Sequence, residues 1–150
     1  MIASSLFAFL HFVAAFGIVA TVVVEWLTFS KAPSLAEARR IQMSDRWYGI
    51  FAGVILIVGF LRVYYFEKGS EFYYSSPFFR VKLLLFLVAG LLSIYPTVKF
   101  IQWKKDTAQG RAPVIADKEY STIALILKIE MVLFLGMLLS ASLMARGVLQ

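Results

Sequence analysis

The sequence predicts an all-α integral membrane protein, four helices crossing a bilayer as an antiparallel, up-down bundle. Three observations carry this. Of the 150 residues 61% are hydrophobic, where a soluble domain is closer to half apolar, and the mean hydropathy is +0.80. Four apolar stretches each reach the ~20 residues a helix needs to cross a hydrocarbon core of ~30 Å. The charges collect between those stretches and leave a net +6, which is how topology is written in membrane proteins and needs no nucleic acid. The length suits one four-span domain over residues 1–150. The spans are expected at residues 2–29, 47–66, 78–103 and 120–146, with an amphipathic surface start at 35–46.

The first span is longer than the apolar region of a signal peptide and lacks a basic start, so it reads as a retained span. It carries the only histidine, His11, together with Glu25. At about 100° per residue, Ser4, Ala15, Ile18, Val22 and Glu25 fall on the same face as His11. Small residues allow close approach of helices in lipid, and ionisable groups inside a span usually turn to the bundle interior. Three readings of His11 stand side by side: a neutral imidazole hydrogen-bonded to a neighbouring helix, a haem or metal ligand, and a member of a proton relay. For Glu25 a headgroup-level or ion-pair role competes with a buried one.

Ser30 to Pro33 breaks the chain, and Ser34-Leu35-Ala36-Glu37 fits a capping box that starts the second helix. Its opening turns hold Arg39, Arg40, Asp45 and Arg46, too charged for hydrocarbon, and are expected at the membrane surface. These arginines suit topology and headgroup contact, or an anionic ligand. From Trp47 the helix enters lipid, and Gly49, Ala52, Gly53, Leu56 and Gly59 form a narrow strip for close packing. Arg62 near the far end can snorkel to the interface.

A short polar linker at residues 67–71 is bracketed by Tyr64, Tyr65, Tyr73 and Tyr74, an aromatic belt. Ser76-Pro77 reads as N-cap and first helical position of the third span. There Lys82, Phe86, Ala89, Ser93 and Pro96 share a face, and Pro96 frees the carbonyl of Leu92. Residues 106–116, with Gly110 and Pro113, read as loop, and Asp117 reads as the N-cap of the fourth helix. Lys128 and Glu130 interrupt that helix. Two apart, they cannot pair along it; Lys128 is expected to reach a headgroup and Glu130 to turn inward.

The first and third connections carry most of the Lys and Arg, so by the positive-inside rule they are cytoplasmic, with both termini and the second connection outside. In a bacterium this places the chain in the inner membrane. His11 then lies ~13 Å below the outer end of its span, flanked by Arg62 and Lys82. The candidate buried charges Glu25, Asp45, Arg46, Lys128 and Glu130 lie toward the inner side or the middle. A porphyrin suits such a slot, with its iron on His11 and its propionates on Arg62 or Lys82. A buried proton relay also suits it, as do plain ion pairs that fix helix register.

The chain has no cysteine, which excludes disulfides, thiolate metal sites, iron–sulfur clusters and a cysteine nucleophile. A single histidine excludes bis-histidine haem ligation within one chain and a His-rich zinc site. No Gly-rich phosphate loop or hydrolase motif is present.

A set of short motifs runs the length of the chain: His11 to Phe16 with Glu25-Trp26; Ala38-Arg39-Arg40 with Asp45; Tyr48-Gly49; Gly59 with Arg62-Val63; Lys68-Gly69, Phe72-Tyr73, Pro77 and Lys82; Gly90 to Ser93 with Pro96-Thr97; and Leu143 to Gly147. Together they resemble a bacterial family of small four-span membrane proteins known only as a domain of unknown function. More distantly, the early His11 and the Lys82-Leu83-Leu84-Leu85 opening of the third span are similar to HemJ-type protoporphyrinogen oxidases and CopD-type copper-resistance proteins. The HemJ likeness implies haem b, with His11 as an axial ligand and Lys82 near the porphyrin. A porphyrin or quinone would be the small-molecule partner, and Met131, Met137 and Met144 are possible sixth ligands by residue type. The alternatives are a small ion-coupled transporter acting as a homo-oligomer, motivated by His11, Glu25, Glu130 and Pro96, and a non-catalytic partner subunit.

Overall fold

The structure, a computed structural model, describes residues 2–66 and 70–146. Four of its helices are long and apolar enough to cross a membrane. Helix α1 spans Ile2–Thr28 and α2 spans Leu35–Leu61, followed by a π-helical turn at Arg62–Phe66. A short α3, Ser70–Ser75, leads into α4, Pro77–Gln102, and a four-residue α5, Lys104–Thr107, extends it. Helix α6 is Asp117–Ala145. The linker read at residues 67–71 falls partly outside the described residues, as does the end of the chain from Gly147.

Local sequence explains the ends. Ser34 caps α2 as its sequence requires: the Ser34 hydroxyl accepts from the Glu37 amide at 3.2 Å, and the Ser34 amide donates to the Glu37 carboxylate at 2.7 Å, which satisfies two amides the helix leaves open. Ser76 and Pro77 take the N-cap and N1 positions of α4, with no side-chain cap bond from Ser76. Asp117 is not the N-cap of α6. Ala116 holds that place and Asp117 is the first helical residue, where its charge suits the positive end of the helix and pairs with Lys31. The loop expected from residue 106 starts as α5 and ends at Gly110, whose φ of 74° is in the left-handed region that favours glycine. The Gly110 amide donates to the Thr107 carbonyl and the Arg111 amide to the Asp106 carbonyl, which closes the helix end as a Schellman motif.

The α1–α2 and α5–α6 connections share one end of the molecule, hereafter the clasped end. Besides the Lys31–Asp117 pair, the Arg39 guanidinium donates to the Thr107 carbonyl at 2.9 Å and the Gln42 amide to the Phe100 carbonyl at 2.8 Å. Beneath them Phe29 stacks on Tyr120 and Trp103, with ring centroids 5.4 and 6.3 Å apart. Most of the large apolar side chains elsewhere face outward, among them Phe9, Phe16, Leu84, Leu91, Leu135 and Leu139. In water that surface would be an aggregation hazard; in a bilayer it is the surface lipid requires.

Close helix approach occurs where a glycine meets a side chain. A Cβ on Gly17 would stand 2.5 Å from the Phe51 ring, and one on Gly136 would stand 3.1 Å from Leu85. The strip expected to pack tightly on α2 behaves differently. Gly59 does meet a neighbour, His11, but Gly49 and Gly53 face open space. They border a cleft, because α4 stands off from α2 along this stretch.

Candidate functional site

The strongest concentration of polar side chains inside the bundle lies toward the clasped end, where three helices each supply one carboxyl. Glu25 comes from α1, Asp45 from α2 and Glu130 from α6, and they are 4%, 9% and 1% exposed. Helical spacing explains the placement. Glu25 follows Ile18, Thr21 and Val22 on the buried stripe of α1, and Glu130 follows Ile123, Ile126 and Leu127 on that of α6. Asp45 extends the stripe of Ala38 and Ile41 on α2.

Each carboxyl has a different neighbourhood. The Thr97 hydroxyl of α4 donates to Asp45 Oδ1 at 2.6 Å. The Tyr48 hydroxyl donates to Glu130 Oε1 at 3.3 Å, and Ser93 of α4 lies beside that hydroxyl. Glu25 stands within electrostatic range of both Asp45 and Glu130, yet its Oε1 is buried without a hydrogen-bond partner. Close by, the Ser44 hydroxyl donates to the Thr21 carbonyl at 2.9 Å, and the Thr21 hydroxyl turns back on its own helix, 2.8 Å from the Ile18 carbonyl. Among the described residues, no Lys or Arg forms an ion pair with any of the three acids. Lys99, two residues past Thr97 on α4, pairs with Glu119 at 2.9 Å instead.

Two clefts reach this cluster. The larger, about 410 Å³, runs between α2 and α4. Asp45, Tyr48 and Thr97 form its polar end; Gly53, Leu56, Phe86 and Gly90 form its apolar walls. The smaller, about 240 Å³, leads from Asp45 and Thr97 past Gln42 to Arg46 and Lys104 at the clasped end. Asp45 therefore borders both. The three acids do not converge on a metal: among the described residues, no group of three or more His, Cys, Asp or Glu side chains is placed to hold one.

Two residues grouped with the buried charges lie instead where their headgroup and surface readings put them. Arg46 and Lys128 are exposed. Arg46 is one residue past Asp45, so the helix turns it about 100° away from the interior; Lys128 is two residues before Glu130 and faces outward for the same reason. The long aliphatic stem lets such side chains lie along lipid and raise their charge to the interface.

The residues expected around a haem are partly brought together. The His11 ring lies against α2, its Cε1 3.6 Å from where a Cβ on Gly59 would stand. Arg62, one helical turn further on, and Lys82 of α4 are both half-buried and within electrostatic range of each other. A porphyrin on His11 needs a flat slot beside the imidazole, and the ring meets the α2 backbone at Gly59. Neither cleft described above is lined by His11, Arg62 or Lys82. These two clefts therefore offer no slot for a haem on His11.

Sequence reasoning found Glu25, Asp45 and Glu130 separately. It missed Tyr48, Ser93 and Thr97 as their neighbours, and it missed the cleft. The signal present was periodic: Tyr48 is three residues after Asp45, and Ser93 and Thr97 are four apart on α4, so each set shares a face.

A family model described as "Predicted membrane protein (DUF2214)" matches residues 3–149. No curated protein and no solved structure matches the chain, so the likeness to HemJ-type and CopD-type proteins finds no support there.

Proposed function

From the premise that the chain belongs to this family of predicted membrane proteins, we propose that it is a small ion-coupled membrane carrier whose coupling site is the Glu25–Asp45–Glu130 cluster. One observation carries the reading: three carboxyls from three helices lie buried within membrane-spanning helices, with no Lys or Arg paired to them among the described residues. Ionised groups are costly in such surroundings. A carboxyl there holds a proton or is neutralised by a bound cation. A site able to exchange one for the other couples the two.

The surroundings supply what exchange needs. The smaller cleft leads from Asp45 toward the clasped end, where water can reach. Thr97 and Tyr48 each donate to a carboxyl oxygen and can turn when its charge changes. By the positive-inside rule the clasped end faces the cytoplasm of a bacterial inner membrane. Four spans are few for a carrier working alone, so this reading has the protein acting as a homo-oligomer.

Infrared difference spectroscopy of the protein in lipid nanodiscs, between acid and alkaline buffer, tests the reading. The expected result is a carboxyl C=O band that titrates, moves in D2O and is diminished in Glu130→Gln and in Glu25→Gln. A spectrum with no titrating carboxyl band would overturn it. The haem-b reading, with His11 as axial ligand, is checked on the same preparation by its absorption spectrum.

A further inference from the structure

We infer that the cleft between α2 and α4 binds a lipophilic monovalent cation, its charge at Asp45 and its apolar body between Leu56, Gly53, Phe86 and Gly90. This rests on the exchange reading above and names what exchanges with the proton.

Volume and shape come first. At about 410 Å³ the cleft is within the range of small-molecule sites, ~300–1,000 Å³, which are typically apolar with a few polar groups at one place. Its polar groups gather at one end, so a ligand with one charged and one greasy end fits it in a single orientation.

Charge decides the sign. Asp45 lines the cleft, Glu130 stands behind Tyr48, and the buried Glu25, with Oε1 unpartnered, faces both acids. On α4 the groups turned to the cluster are the uncharged Ser93 and Thr97, and Lys99 is engaged by Glu119. Arg46 and Lys104 line the smaller cleft, on its exposed side. An anion in the larger cleft would add to three acids. A neutral ligand would leave the Asp45 carboxyl, the one acid that lines the cleft, without a counter-charge. A cation supplies that counter-charge at Asp45, with the Tyr48 ring beside it in the cleft lining.

The route of approach follows from exposure. Gly49, Gly53 and Gly90 are all exposed, and a Cβ on any of them would meet nothing within 4 Å. The mouth therefore opens sideways, between two membrane-spanning helices, and glycine keeps it wide. A lipophilic cation dissolves in that lipid, whereas a hydrated metal ion does not.

The test uses hexyltrimethylammonium, a cation with one charged and one apolar end, and the full-length protein in nanodiscs, with calorimetry and a pH indicator in weakly buffered solution. Saturable binding with proton release is expected. Asp45→Asn should weaken it by more than about tenfold, as loss of a buried charge partner does. Gly53→Leu and Gly90→Leu, which fill the cleft and leave the acids intact, should abolish it. Leu139→Ala on the outer face of α6 should leave it unchanged. Absence of binding in the wild-type protein, or binding indifferent to Asp45→Asn and Gly53→Leu, overturns the inference. Because the chain has no cysteine, a Gly53→Cys variant adds a single thiol. Its quantitative disulfide linkage between copies in the membrane would mean that a second copy's helix fills the cleft, which also overturns it. A titrating carboxyl band with no hexyltrimethylammonium binding sinks this inference and leaves the carrier reading standing; loss of both sinks both.

Discussion

Thr97 on α4 donates its hydroxyl to Asp45 on α2 at 2.6 Å, across the polar end of the cleft between the two helices. With the Gln42–Phe100 bond it ties α2 to α4 near the clasped end. Further along, glycines and open space replace contact.

Removing the Thr97 hydroxyl should therefore loosen the pair. Thr97→Val is expected to lower stability by about 1 kcal/mol, the scale of a polar contact between membrane helices. Thr97→Ser should retain most of it. Reversible unfolding in mixed detergent micelles measures both, and equal losses in the two variants would show that the hydroxyl contributes little.

Gly17 and Gly49 should respond oppositely to the same substitution. A Cβ at Gly17 would strike the Phe51 ring at 2.5 Å, whereas one at Gly49 meets nothing within 4 Å. Gly17→Ala is expected to cost about 1–3 kcal/mol by overpacking, relieved in part in a Phe51→Leu background. Gly49→Ala should be neutral or gain up to about 1 kcal/mol from helix propensity. The same unfolding assay reads both.

How much of this was legible in the sequence depended on the range of the interaction. The capping box at Ser34 and Glu37 and the Ser76-Pro77 start of α4 rest on bonds or backbone angles within a few residues, so the order of residues carries them. The inward turn of Glu25 and Glu130 rests on one helix's period, and that too is local. The meeting of Glu25, Asp45 and Glu130 depends on the rotation and spacing of three helices, which no single helix encodes. The glycine strip on α2 shows the limit most clearly. Gly49, Gly53 and Gly59 have the same chemistry, yet one packs on His11 and the other two border a void, because the partner helices α1 and α4 stand at different distances. Arg46 and Lys128 share the depth of the buried acids, yet one or two residues along a helix is enough to face the other way.

Ser34→Ala should loosen the start of α2 and leave the site intact. Loss of the cap is expected to cost about 0.5–2 kcal/mol, and amide hydrogen exchange should rise in the first turn after Leu35 while the amides near Asp45 keep their protection. Uniform exchange along α2 would show that the helix end is held by its tertiary contacts instead.

Detergent-purified protein given haemin is expected to show no Soret change that depends on His11, since the ring meets α2 at Gly59. Titration of the wild-type protein and His11→Ala side by side measures this. A band present in the first and lost in the second would reinstate the imidazole as an iron ligand.

The sideways mouth of the α2–α4 cleft changes how potency should be expressed. Whatever occupies it is drawn from the hydrocarbon phase, so its dose is a mole fraction of lipid, and compounds of equal intrinsic fit will rank by partition coefficient. Detergent tails become competitors, and affinities measured in micelles will understate those in a native bilayer.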